Sequence, residues 1–239
     1  MDKGAQVLVR MSDLLAAWEA ANDRRVIFLS CYKMMTQNVL AAIQTGEFED
    51  TAWVSKLMEN FADYYFNALE TFENEPARPP DVWRIAFQAA QSPHTHVLQN
   101  LVLGVNAHIN YDLVFALSDI LTDEWGQLSP EQRQLRYRDH CRINDIISHT
   151  IDEVQDQVID RYQPLFAVAD KLLGPLDEWM TSLLISEWRE EVWKHATNLL
   201  ELAEPAERAA IIQKVHQLSL ARAEDILGKG GITSLAEFF

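Results

Sequence analysis

Among the polar side chains in the most apolar stretch of this chain, five are of types that could carry out chemistry. The stretch Leu98–Leu121 contains Asn106, His108, Asn110, Asp112 and Asp119. An imidazole acts as a general base when a carboxylate orients it, and the same two groups are ligands for divalent metal ions. A buried polar group without a partner costs about 1–3 kcal/mol, so these side chains need partners or a ligand.

The spacing of these residues predicts two polar faces on one helix. At about 100° per residue, Asp112 lies about 40° from His108 and Asp119 about 20° from it, so the three form one stripe. Asn106 and Asn110 fall on the opposite side of the helix. We therefore expect a helix that meets different neighbours on its two sides.

A second segment, numbered 139–158, adds polar residues beside a stripe of isoleucines and valines. Asp139 projects within or beside that stripe, and Asn144 lies at its edge. His149 and Glu153, four residues apart, flank the stripe on its other side. A carboxylate that points inward needs a histidine, an amide or a metal as its partner. This requirement places Asp139 and Asn144 in the same candidate site as His108.

The first functional hypothesis is an enzyme with a buried polar pocket that acts on a small molecule. Its catalytic residues would be His108, Asp112 and Asp139. Its substrate-binding residues would be Asn106, Asn110 and Asn144. A divalent metal (Zn, Fe or Mn) would make the enzyme a hydrolase or an oxygenase, and the candidate ligands are His108, Asp112, Asp139 and His149. Aromatic residues predicted to wall the pocket are Trp53, Tyr64, Tyr65, Trp83 and Phe87.

Two further hypotheses use the same residues. In one, the protein binds a small ligand or serves an accessory role without turning the ligand over. In the other, the polar groups form a structural network, with Asp112 accepting a hydrogen bond from His108 and no ligand present. A concave pocket around His108 would favour the functional hypotheses over the structural one.

The elements that position these residues are predicted to be helices. Of 239 residues, 48% are hydrophobic and only 8 are Gly and 8 are Pro, which favours long helices over many short strands. We predict a single all-α domain over residues 1–239, a bundle of about eight or nine helices around a central buried helix at about 97–121. The Pro-rich segment 73–81 is predicted as a surface loop, and 228–239 as a flexible tail.

Charge and composition restrict the partners. The net charge of −16 opposes binding to nucleic acid or to an anionic membrane surface. Polar residues in the middle of the apolar helix oppose a membrane span, although the helix is long enough for one. The first residues lack the apolar core of a signal peptide, and Cys31 and Cys141 are too few for a disulfide framework. We expect a cytoplasmic protein whose partner is a small molecule; its oligomeric state is not predicted.

Four parts of the chain match a pattern of sequence strings. They are LVLGVNAHINYDL at 101–113, WRIAF at 83–87, FADYYFNAL at 61–69, and Asp139 with Asn144. In these strings the chain resembles a family of bacterial helical proteins, domain of unknown function 5995, over roughly residues 25–200. The resemblance implies an all-helical single domain and no particular reaction. The polar residues that it implies are shared are Asn106, His108, Asn110, Asp112, Asp139 and Asn144.

Overall fold

Helices make up all the regular structure of the residues that the computed structural model describes, 3–162 and 182–228. This confirms the predicted all-α class and a single domain. The helices before the central one are α1 (Lys3–Ala21), α2 (Val26–Thr45), α3 (Thr51–Asn74) and α4 (Asp81–Gln91). Those after it are α7 (Pro130–Val154), α8 (Asp160–Tyr162), α9 (Ser182–Glu201) and α10 (Pro205–Leu227).

The central helix changes its winding in the middle. It consists of α5 (Val97–Val105), a π-helix over Asn106–Asp112 and α6 (Leu113–Thr122). We call the seven residues Asn106–Asp112 the π segment. A π-helix closes hydrogen bonds from residue i to i+5 and is rare in proteins, where it frequently marks a functional site. A second π-helix, Gln155–Ile159, joins α7 to α8.

Local sequence signals explain where several helices begin and end. Asp50 caps the start of α3, because its Oδ1 accepts a hydrogen bond from the backbone N–H of Trp53 at 3.0 Å. Gly46 ends α2 in the left-handed conformation, with φ of 74°, which glycine adopts without strain. The Pro-rich segment connects α3 to α4.

Two hydrophobic clusters meet at the central helix. The α5 half contributes Leu101 and Leu103 to the first cluster, and the α6 half contributes Leu113 and Leu117 to the second. All four leucines are buried. The π segment lies between these halves and contacts α3, α4, α9 and α10. Its polar side chains therefore sit where the two clusters join.

Within residues 3–162 and 182–228, two helices are long and apolar enough to cross a membrane, judged by length and composition alone. They are α2 and the central helix, Val97–Thr122, and 50% and 72% of their apolar windows are buried inside the protein. A core helix of a soluble protein has the same character. The predicted tail beyond Gly228 lies outside the described residues.

Candidate functional site

His108 and Asp112 form the centre of the site, as their spacing predicted. Nδ1 of His108 lies 3.1 Å from Oδ2 of Asp112, and both side chains are buried. The indole N–H of Trp83, from α4, donates to the same carboxylate oxygen at 2.8 Å. The carboxylate is thus fixed from two sides, and it in turn fixes the orientation of the imidazole.

Aromatic rings surround the imidazole of His108. The ring of Phe61 stacks on it with centroids 3.5 Å apart, and Tyr32 meets it edge-on with centroids at 4.3 Å. Phe28, Tyr65 and Trp83 complete the ring of neighbours. These contacts bury the imidazole, so that His108 is only 3% exposed.

Burial favours the neutral forms of both central residues. It lowers the pKa of His108 well below the ordinary value of a histidine. Burial also raises the pKa of Asp112 well above the ordinary value of an aspartate, and the hydrogen bond from Trp83 opposes that rise. At neutral pH the imidazole is therefore uncharged, which leaves one of its nitrogens as a hydrogen-bond acceptor.

A cavity of about 130 Å³ lies beside His108, between α2, α3, the central helix, α7 and α9. Its walls are mostly aliphatic, and its aromatic lining consists of Phe28, Tyr32 and Phe61. Nε2 of His108 and the hydroxyl of Tyr32 are buried and find no hydrogen-bond partner among the described residues. The cavity thus combines an apolar body with two polar atoms whose hydrogen-bonding capacity is unused.

A family model matches almost the whole chain, over residues 5–229, and is described as a family of unknown function, DUF5995. The chain belongs to the DUF5995 family. This confirms the resemblance seen in the sequence strings. Comparison with curated proteins and with solved structures finds no match.

In this DUF5995 protein, the two asparagines of the π segment face away from the cavity, as the helical wheel predicted. Nδ2 of Asn106 donates to the backbone oxygen of Ser219 in α10 at 2.9 Å. Nδ2 of Asn110 donates to Oδ1 of Asn106 at 2.9 Å. The first bond fastens the central helix to α10, and the second holds the amide of Asn106 in place. Neither asparagine lines the cavity. The predicted substrate-binding role is therefore not what this geometry supports.

Asp139 has structural partners rather than a place beside His108. Its two carboxylate oxygens accept hydrogen bonds from the backbone N–H groups of Glu49 and Asp50, at 2.7 and 2.9 Å. The carboxylate is buried and holds the backbone that leads into α3. The structure thus gives Asp139 the inward position that was predicted, but with amide partners.

The predicted metal ligands do not converge. His149 is exposed on α7, where its Nδ1 lies 2.6 Å from the backbone oxygen of Asp145. Asp139 is engaged at the start of α3, so only His108 and Asp112 remain together. Among residues 3–162 and 182–228, no three His, Cys, Asp or Glu side chains are placed to hold a metal ion.

Asp119 departs from the predicted stripe. It is exposed and accepts a hydrogen bond from the hydroxyl of Tyr64 at 2.7 Å. The wheel assumed an α-helix throughout, whereas the π segment turns less per residue and thereby rotates α6 relative to α5. The aromatic prediction was right for Tyr65 and Trp83, which contact the ring of His108, but none of the five predicted aromatics lines the cavity.

The sequence reasoning missed Arg189, which lies in α9 and also lines the cavity. Its Nε donates to Oδ1 of Asn144 at 2.6 Å, so Asn144 reaches the site through this arginine. Arg189 lies four residues after Ile185 and three before Val192, both buried, so it falls on the apolar face of α9. That spacing predicts an inward-facing side chain, but the charged residues next to Arg189 in the sequence are typical of a solvent-exposed face.

Proposed function

We propose that this DUF5995 protein binds a compact, mainly apolar molecule in the cavity beside His108, with a polar group of that molecule hydrogen-bonded to Nε2. The observation that carries the proposal is an apolar cavity whose wall contains buried polar atoms without partners. Binding sites for small molecules have this composition, an apolar lining with a few convergent polar groups.

The volume of the cavity limits the size of the molecule. An engineered apolar cavity of about 150 Å³ binds benzene. The cavity here, about 130 Å³, is suited to a single ring or a short branched chain. Larger molecules would require the surrounding helices to move apart.

The unused hydrogen bonds favour a molecule with a polar group. A buried polar atom without a partner costs about 1–3 kcal/mol. A hydroxyl or carbonyl group on the bound molecule would supply the missing bond to His108 or to Tyr32. A bound molecule that pairs with these atoms therefore removes the free-energy cost of leaving them buried without a hydrogen bond.

A second candidate function, base catalysis, is favoured by the bond between His108 and Asp112. An oxygen that accepts from the Nδ1–H of an imidazole leaves Nε2 unprotonated and able to accept a proton, as in the base-and-orienter pairs of many enzymes. Here Trp83 also fixes the carboxylate. In this proposal Nε2 of His108 removes a proton from the bound molecule, and Asp112 positions the imidazole.

The proposed location and partners of the protein are those expected from its sequence. We place it in the cytoplasm, without a membrane span and without nucleic acid as a partner. The burial of the two apolar helices within the bundle and the charge of −16 support this placement.

Binding of phenol and toluene tests the proposal, because these molecules match in size and differ in one hydroxyl. We expect both to bind, phenol more tightly, in calorimetry or ligand-detected NMR. Val39 lines the cavity, so Val39→Phe should fill it and remove binding of both. Val9, which is 49% exposed on α1, provides the control Val9→Phe, which should bind normally.

Two results would contradict the proposal. One is a wild-type protein that binds neither molecule. The other is a folded Val39→Phe variant, checked by its thermal unfolding, that binds both as the wild type does. Equal affinity for phenol and toluene would support the cavity as a binding site but contradict a hydrogen bond from the bound molecule to His108.

A further inference from the structure

Arg189 is a buried cation in the wall of the cavity. Its side chain is 3% exposed, and it approaches the cavity from α9, whereas His108 belongs to the central helix. Arginine is rarely buried without a negative partner, because removing a charge from water costs several kcal/mol.

In the described part of the chain, the hydrogen-bond partners of Arg189 are all neutral. Nη2 donates to the backbone oxygen of His140 at 2.7 Å, and Nε donates to Oδ1 of Asn144. Nη2 also lies 3.3 Å from Nδ1 of His140, whose Nε2 lies 3.0 Å from the backbone oxygen of Arg189. His140 is neutral, because burial and the charge of Arg189 lower its pKa well below the ordinary value.

No carboxylate of the described chain pairs with Arg189, and its Nη1 makes no hydrogen bond to a described residue. Burial lowers the pKa of Arg189 to about 10, so the guanidinium remains protonated at neutral pH. Two half-buried arginines, by comparison, pair with carboxylates. Arg136 pairs with Asp50 and with a glutamate, and Arg25 pairs with an aspartate and a glutamate.

We propose that the molecule bound in the cavity carries a carboxylate, which pairs with the guanidinium of Arg189. This inference rests on the proposed function and names the class of ligand for the same cavity, a small apolar carboxylic acid. A guanidinium donates in a fixed fork that matches a carboxylate, and the neutral groups around Arg189 hold that fork in place.

The charge balance favours a carboxylate over a phosphate. One buried cation offsets one negative charge, whereas a phosphate monoester carries about −1.5 to −2 at neutral pH. The remaining charge would lie among aliphatic side chains, which disfavour it. The apolar body of the acid would occupy the space between Arg189 and His108.

Benzoate and nitrobenzene test the inference, since the two are nearly identical in shape and only benzoate is charged. We expect wild-type protein to bind benzoate at least about tenfold more tightly, the factor typical of a hydrogen bond to a charged group. Arg189→Gln should reduce the affinity for benzoate to that for nitrobenzene and leave nitrobenzene binding unchanged. Arg142, on the surface of α7, provides the control Arg142→Gln, which should bind both as the wild type does.

Each outcome has a distinct meaning. Equal affinity of the wild type for benzoate and nitrobenzene would overturn the inference and leave the proposed function standing. Failure to bind either molecule would overturn both. If Arg189→Gln does not fold, the two wild-type affinities decide, and Arg189→Lys should retain a preference for benzoate. If millimolar chloride alone displaces benzoate, Arg189 binds small inorganic anions, which would contradict the inference.

Discussion

Replacing Asp112 with Asn should change how the stability of the protein depends on pH. Asn keeps the shape of the side chain, and its amide oxygen, in the place of Oδ2, can accept hydrogen bonds from Trp83 and from the Nδ1–H of His108. The substitution removes a group whose pKa burial raises well above the ordinary value of 3.8. The variant therefore isolates the protonation of one buried carboxyl group.

The direction of the effect depends on proton binding. Between pH 3.8 and the raised pKa, folded Asp112 holds a proton that the unfolded chain releases. The stability of the wild type from this group is therefore greatest below that range and falls as the pH rises through it. Each pH unit inside the range changes the free energy of unfolding by about 1.4 kcal/mol. The amide of the Asp112→Asn variant does not titrate, so the variant lacks this dependence.

The wild type should thus gain up to about 2.7 kcal/mol over the variant when the pH falls from 7 to 5. Urea unfolding at several pH values measures this gain as a difference between midpoints of about 1 M. The matched control is Asp119→Asn on the same helix, where the aspartate is exposed. This variant keeps Asp112, so it should retain the pH dependence that Asp112 gives to the wild type.

Two results would refute the reasoning. A difference between wild type and Asp112→Asn that stays constant from pH 5 to 7 would mean that Asp112 does not bind a proton in this range. A variant that becomes relatively more stable at low pH would mean that Asp112 is ionised and paired with a protonated His108. Either result would contradict a pair in which burial favours the neutral forms.

Three further predictions concern packing, capping and reactivity. In Gly104→Ala the new Cβ would overlap the ring of Phe28, so the variant should lose about 1–3 kcal/mol, measured as a lower thermal midpoint. Asp139→Asn offers one acceptor to the two backbone N–H groups before α3, and urea unfolding should show a loss of about 1–2 kcal/mol. Burial raises the pKa of Cys31 to about 12, so at pH 8 a disulfide reagent should modify it far more slowly than the half-buried Cys141, as followed by mass spectrometry.

Each of these predictions has a comparison that can contradict it. At Gly126 an added Cβ meets nothing within 4 Å, so Gly126→Ala should cost much less than Gly104→Ala. The exposed Asp145 on α7 provides Asp145→Asn, which should differ little from the wild type. Urea should make Cys31 as reactive as Cys141. Equal effects within either pair of variants, or equal thiol reactivity before unfolding, would be evidence against the corresponding contact.

Much of the fold could be predicted because it depends on periodicity. Apolar spacing located the helices, and the contrast between an apolar stretch and its polar residues identified the central helix. The pair His108 and Asp112 could be predicted from a separation of four residues, which brings side chains together in a helix. The placement of Asn106 and Asn110 on the side of the helix opposite His108 came from the same geometry.

The cavity and its charged residue could not be predicted in this way. A cavity depends on how side chains from several helices fail to fill a space, and the spacing within one helix does not contain that information. Arg189 stands among charged residues, a setting typical of a solvent-facing side chain. For Asp139 the predicted inward direction was right. Its partners could not be predicted, because they are backbone amides from a distant part of the chain.

The π segment has a consequence for insertions and deletions in this chain. One turn of a π-helix holds about one residue more than a turn of an α-helix. Deleting a single residue there, for example Ile109, would let Val97–Thr122 run as an uninterrupted α-helix while α6 keeps the face that it presents to α9. The same deletion elsewhere in the central helix would rotate all later residues of that helix by about 100°. Within the central helix, a change of length that preserves the bundle is therefore confined to Asn106–Asp112, the residues that hold the imidazole and its carboxylate. A loss of length there would remove the site and spare the fold.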